Sequence, residues 1–134
     1  MDNCIFCKII KGEIPCYKIY EDDDVLAFLD VAKDAIGHTL VIPKKHVANL
    51  VECDEKTLSE VFDAAQKISK HYMENCGFDG VQVINNCGES AGQTVMHFHV
   101  HVVPRKVGDG LLVWKLGKPY EMDLNKIANE LKLK

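Results

Sequence analysis

Three histidines, His97, His99 and His101, alternate with apolar residues in the run Met96-His97-Phe98-His99-Val100-His101-Val102-Val103-Pro104-Arg105. A β-strand sends successive side chains to opposite faces. A strand here would gather the three imidazoles on one face and Phe98, Val100 and Val102 on the other. The imidazole pKa lies nearest neutrality of all side chains, so such a row suits proton transfer, phosphoryl chemistry or metal binding. Thr, Lys or Glu would solvate a plain strand face equally well, which argues for a chemical duty. The preceding loop, Gly88-Glu89-Ser90-Ala91-Gly92-Gln93-Thr94, offers lightly obstructed backbone N–H groups, an amide and a hydroxyl, all suitable donors to phosphate oxygens. It lacks the Gly-Lys-Ser/Thr ending of a P-loop. Its position directly upstream of the histidines favours phosphate chemistry over a metal site made of all three.

A second constellation is Cys4-x-x-Cys7. Two thiolates at this spacing can clasp Zn²⁺, which wants four ligands. No second Cys-x-x-Cys exists, so two ligands would have to come from elsewhere, histidines being the obvious supply. A redox pair would need a strand–loop–helix setting that is missing here. Two buried thiols on a helix remain the bland alternative, and spacing alone does not choose. Cys16, Cys53, Cys76 and Cys87 show no metal-like spacing. His38, His46 and His71, taken singly, read as structural histidines.

The elements that must position these groups follow from periodicity. Residues 4–11 carry Ile5, Phe6, Ile9 and Ile10 at helical spacing, with Gly12 and Pro15 as stop signals. Tyr17 to Glu21 and Val25 to Leu29 read as strands around an Asp22-Asp23-Asp24 turn. His38 to Pro43 and Gly80 to Asn86 are two more, and the histidine run is a fifth. Residues 55–75 form the clearest helix, with Leu58, Val61, Phe62, Ala65, Ile68 and Tyr72 on one stripe, Asp54 as N-cap and Gly77 beyond its end. A short helix spans about Asp123 to Leu131. Hairpin-like strands with few helices predict an α+β fold with an antiparallel sheet of about five strands. Its edges need cover or a partner, which makes a homodimer a reasonable expectation.

The chain of 134 residues fits one domain, 1–134. A net charge of −4 with scattered Lys and Arg disfavours polymeric nucleic acid but permits a single nucleotide. No membrane span or signal peptide is visible. Six cysteines without a secretory signal point to a reducing compartment, by default the cytoplasm.

Taken together, these residues closely resemble the histidine triad (HIT) superfamily, in its compact bacterial and Hint-like branches. His97-Phe98-His99-Val100-His101-Val102-Val103 matches the family signature without a gap. The likeness also takes in Ile5-Phe6, Asp30, Gly37-His38-Thr39-Leu40-Val41-Ile42-Pro43, Asn86 and Gly92-Gln93-Thr94. The resemblance implies a HIT fold and cleavage between the α-phosphorus of a purine nucleoside monophosphate and its leaving group. His99 matches the nucleophile, His101 the group on the phosphate and leaving-group side, and His38 a further histidine that supports the triad. Gly92, Gln93 and Thr94 match phosphate-contacting positions. Asp30 matches the acceptor of the ribose hydroxyls, Ile5, Phe6, Ile9, Phe28 and Val31 the base pocket, and Asn86 another nucleotide contact. In members with Cys-x-x-Cys near the start, zinc is held by residues corresponding to Cys4, Cys7, His46 and His97. That set is closed and therefore structural, and Mg²⁺ is not strictly required. The resemblance favours nucleoside phosphoramidates as substrates. Dinucleoside polyphosphates, or nucleotide binding with only incidental activity, are the alternatives. It assigns nothing to Trp114 or Tyr120 in the variable tail.

Overall fold

The computed structural model describes residues 3–111 and 121–133, so Trp114 and Tyr120 lie outside the described residues. The elements run α1 (Ile5–Ile10), β1 (Lys18–Glu21), β2 (Val25–Leu29), β3 (Thr39–Pro43), α2 (Glu55–Asn75), β4 (Gly80–Ile84), a 3₁₀ turn (Glu89–Ala91), β5 (Val100–Arg105) and α3 (Leu124–Leu131). The strands form one five-stranded sheet, order β1-β2-β3-β5-β4, with every pairing antiparallel. This is the expected α+β architecture.

Alternation along the central strands separates two apolar layers. Val25 and Ala27 of β2, Val41 of β3, and Val100 and Val102 of β5 meet Val61, Ala64, Ala65, Ile68 and Tyr72 of α2. Leu26, Phe28, Leu40 and Ile42 point the other way and pack on Phe6 of α1. Full burial of each Val, Leu or Phe contributes about 1.5–3 kcal/mol. Asp54 caps α2, its carboxylate accepting from Thr57 N–H and Oγ1–H at 3.1 Å each. The buried stripe of α2 includes Thr57 and Ala64, whereas Phe62, expected inside, is 40% exposed. Phe62 follows Val61 by one residue and so sits about 100° around the helix from it.

One expectation needs correction. The histidine run is not a strand throughout: β5 starts at Val100, and only His101 belongs to the ladder. Pairing with β3 covers Val41↔Val100 to Thr39↔Val102 and goes no further. Upstream the backbone turns aside, and Phe98 N–H donates to Val47 O in the loop after β3 at 2.7 Å. The two-faced character survives, because Phe98 still joins the α2 layer beside Val100 and Val102. The three imidazoles lie on the α1 side, where Phe6 touches the His97 and His99 rings.

Candidate active site

The site is built where α1, the ends of β2 and β3, and the approach to β5 converge. His99 is 7% exposed. Its Nδ1–H donates to the His97 carbonyl at 2.7 Å, which leaves Nε2 as the ring nitrogen with a free lone pair. Burial is the main cause that holds His99 below the ordinary imidazole range, against the His97 carbonyl and the Asp30 charge. The backbone of His99 is itself tethered: Asn85 Nδ2 donates to its carbonyl at 2.8 Å.

His101 stands beside it, ring centroids 5.0 Å apart. Its Nδ1 lies 2.9 Å from His38 Nε2, and His38 Nδ1 lies 2.6 Å from Asp34 Oδ1. The ionised carboxylate only accepts, so His38 carries its proton on Nδ1; neutral His38 then accepts at Nε2 from His101 Nδ1–H. Desolvation by burial pulls His101 down to about 4, helped by His99 and His38 and opposed by Asp30 and Asp34. His38 is placed by the β2–β3 loop, which Asp30 N–H closes by donating to His38 O at 2.8 Å. Gly37 has φ +79°, and a Cβ there would meet Pro104 Cγ at 2.8 Å. Glycine therefore lets this loop lie flat on β5.

A cavity of about 310 Å³ opens in front of the two imidazoles. It brings together nine of the sequence candidates: Ile5, Phe6, Ile9, Phe28 and Val31 as apolar walls, Asp30 and Thr94 as polar groups, and His99 and His101 at its end. Asp30 Oδ1 accepts from Ala32 N–H at 2.8 Å, and Oδ2 lies 3.8 Å from His38 Nε2. Asn86 lines a neighbouring cavity with His38 and His101.

The Gly-rich loop is held by its own hydrogen bonds. Gln93 is 3% exposed, and its amide is fully committed: Nε2 donates to Ala48 O and Val95 O, and Oε1 accepts from Gly88 N–H. The backbone N–H groups of Ala91, Gly92 and Gln93 also close turns within the loop. Gly92, at φ +97°, supplies the left-handed turn. Gly92 and Gln93 thus spend these donors within the loop, while exposed Thr94 at its end reaches the cavity.

Behind His97 lies the second cluster. The ligand atoms of Cys4, Cys7, His46 and His97 all lie within 4.8 Å of one another. His97 is fully buried and its Nε2–H donates to Pro43 O at 2.8 Å. Its Nδ1 therefore presents a lone pair to His46 Nδ1 at 3.1 Å, Cys4 Sγ at 3.4 Å and Cys7 Sγ at 3.6 Å. Burial takes His97 down to about 4, so it is neutral at physiological pH. Two sulfurs and two imidazole nitrogens are a donor set suited to zinc, and a carbonyl fixing the outer ring nitrogen of His97 is the usual support for such a ligand. Asp30, His38 and His101 form the other group of metal-capable side chains among the described residues; its closest pair, His38 and His101, stands at hydrogen-bond distance.

A family model described as the HIT domain matches residues 11–108. The chain belongs to the HIT family. Protein hit of Bacillus subtilis is 48% identical over 116 residues, which span 85% of this chain and 80% of that protein. Adenylylsulfatase HINT3 of Arabidopsis thaliana is 37% identical over 130 residues, 97% of this chain and 66% of the relative. The crystal structure of a Zn-bound histidine triad family protein from Mycobacterium smegmatis is similar at 40% identity and TM-score 0.79, covering 83% of this chain and 81% of that one.

Two residues that hold this HIT site together escaped the sequence reading. Asp34 had only its place four residues before His38 to mark it, and Asn85 only its adjacency to Asn86.

Proposed function

We propose that this protein, acting as a single domain over residues 1–134, is a nucleotide hydrolase that works through a nucleotidyl-histidine intermediate on purine nucleoside phosphoramidates. The carrying observation is the hydrogen bond from His99 Nδ1–H to the His97 carbonyl, which commits one ring nitrogen and leaves the other nucleophilic beside a cavity of nucleotide-like lining. In this reading the base lies among Ile5, Phe6, Ile9, Phe28 and Val31, and Asp30 accepts from the ribose hydroxyls. Thr94 Oγ1–H donates to a phosphate oxygen, and Asn86 contacts the nucleotide from the His38 side. His99 Nε2 attacks the α-phosphorus in line while His101 protonates the departing amine. Water then cleaves the phosphorus–nitrogen bond to His99. Splitting one hard hydrolysis into two displacements lowers each barrier, and the rest is positioning and charge stabilisation.

The Cys4, Cys7, His46 and His97 donor set supports a structural zinc. Bound there, zinc would supply a crosslink between α1 and the segment leading to His99, not a step in the reaction. The unpaired outer edge of β4 among the described residues supports a homodimer, which light scattering tests. Six free cysteines support a cytoplasmic setting.

The relative named as an adenylylsulfatase adds one competing leaving group. Steady-state kinetics with an AMP-alkylamide, diadenosine tetraphosphate and adenylyl sulfate would rank the three, with the amide expected to have the highest kcat/KM. Mass spectrometry of enzyme quenched during turnover should find the nucleotide on His99. Tight AMP binding without any covalent species or turnover would instead make the protein a binding module.

A further inference from the structure

The β2–β3 loop carries a carboxylate to the far end of the imidazole pair: Asp34 Oδ1 is 2.6 Å from His38 Nδ1, and His38 Nε2 is 2.9 Å from His101 Nδ1. We propose that Asp34 is a positioning residue for leaving-group protonation, which through His38 fixes the tautomer of His101 and provides the counter-charge for the proton that His101 must donate. This inference rests on the nucleotidyl-transfer reading above and extends it to a residue that no sequence motif singled out.

The proton count explains the need. In the resting chain the two imidazoles hold two protons, one on His38 Nδ1 facing Asp34 and one on His101 Nδ1 facing His38, so His101 Nε2 is bare. The acid-competent chain holds a third, on His101 Nε2, and carries one positive charge. In the first step the bond from phosphorus to the leaving nitrogen breaks, its electron pair stays on that nitrogen, and the third proton moves there from His101 Nε2 as the bond from phosphorus to His99 Nε2 forms. In the second step water adds to phosphorus, its proton returns to His101 Nε2, and His99 recovers its lone pair. The sum consumes one water, and the chain ends as it began.

Burial opposes the charged form. The groups that face His101 are His99 from its own segment, and Asp30, Asp34 and His38 from the loop between β2 and β3. The two histidines disfavour a third proton and the two carboxylates favour it. Of the two carboxylates only Asp34 is hydrogen-bonded to His38; Asp30 is 3.8 Å from His38 and already accepts from Ala32 N–H. The His38 hydrogen bond holds the Asp34 carboxyl below its ordinary range, so it stays ionised wherever the enzyme works. A charge-assisted hydrogen bond is about twice as strong as a neutral one. The Asp34 side chain is 59% exposed, so replacing it leaves both apolar layers intact.

The test has two arms on the full chain. AMP esters and amidates of graded leaving-group basicity would be run with wild type, Asp34→Asn and Asp34→Glu. Asp34→Asn should lower kcat about tenfold on an alkylamine substrate and less than about twofold on a nitrophenyl ester, with KM little changed, and Asp34→Glu should recover most of the loss. Equal losses along the series, or none, would overturn the proposal. In the second arm, ¹⁵N-histidine spectra of nucleotide-free protein should show His38 protonated at Nδ1 in wild type. In Asp34→Asn the tautomer ratio of His38 and His101 should change, and His101 should take up its second proton at lower pH. Superimposable spectra of the two proteins would overturn the proposal even if wild type hydrolysed no nucleotide, a failure that would belong to the hydrolase reading alone.

Discussion

On one side of His99, His97 is fully buried against two sulfurs and a second imidazole. On the other, His101 is half-buried and meets an imidazole backed by Asp34, with Asp30 nearby. Burial pulls both histidines down to about 4, yet their neighbours differ in kind. Soft, neutralisable donors around His97 suit a cation and hold the ring still. Carboxylates around His101 favour an added proton and so suit a ring that must gain and lose one. Two side chains of one type, four residues apart, are set in surroundings of different kind, which the proposed function reads as an anchor and a proton donor.

The harshest way to break this division is to remove the residue between the two flanks. His99→Ala should lower kcat/KM by about 10⁴-fold or more on every substrate, with folding intact, because in the proposed mechanism it removes the bond-forming atom itself. Single-turnover assays would read this, and a loss confined to poor leaving groups would move the nucleophile elsewhere.

On the anchor side, Cys7→Ser should abolish stoichiometric zinc in metal analysis and cost about 3 kcal/mol, or roughly 10 °C in Tm. The folded fraction should keep kcat within about threefold, since a four-ligand site of this kind is closed and the proposed mechanism passes no step through it. Unchanged Tm with collapsed kcat would reverse the two flanks. On the donor side, His101→Ala should cost about 10²–10³-fold with an alkylamine leaving group and far less with a nitrophenolate, while zinc content and Tm stay at wild-type values.

How far the sequence foretold these flanks depended on distance along the chain. The triad was legible because its spacing is local, and α2 because its stripe repeats over 21 residues. The β5 start was not, because the backbone leaves the ladder to pair Phe98 with Val47, fifty-one residues earlier. Gln93 has the right chemistry for phosphate but lies among three backbone groups that claim its amide first. Asp34 sits in a loop whose path is set by Gly37 against Pro104, a contact between remote parts of the chain that no periodicity records. The cavity walls could be named only through family resemblance, since Phe6 of α1, Phe28 of β2 and His99 ahead of β5 converge from remote parts of the chain.

The smallest effect tests whether the backbone of His99 belongs to either flank. Asn85 Nδ2 donates to the His99 carbonyl, while its Oδ1 is buried without a partner among the described residues. Asn85→Ala removes one satisfied and one unsatisfied polar atom, and it strips one donor from that carbonyl. The lost hydrogen bond costs about 1 kcal/mol, and removal of the orphaned oxygen offsets much of it, so Tm should move by no more than about 3 °C. The tether's loss should appear in kcat instead, about fivefold and equal for good and poor leaving groups, because it loosens the nucleophile rather than the acid. A loss that grew with leaving-group basicity would place Asn85 with His101, and a falling zinc content would place it with His97.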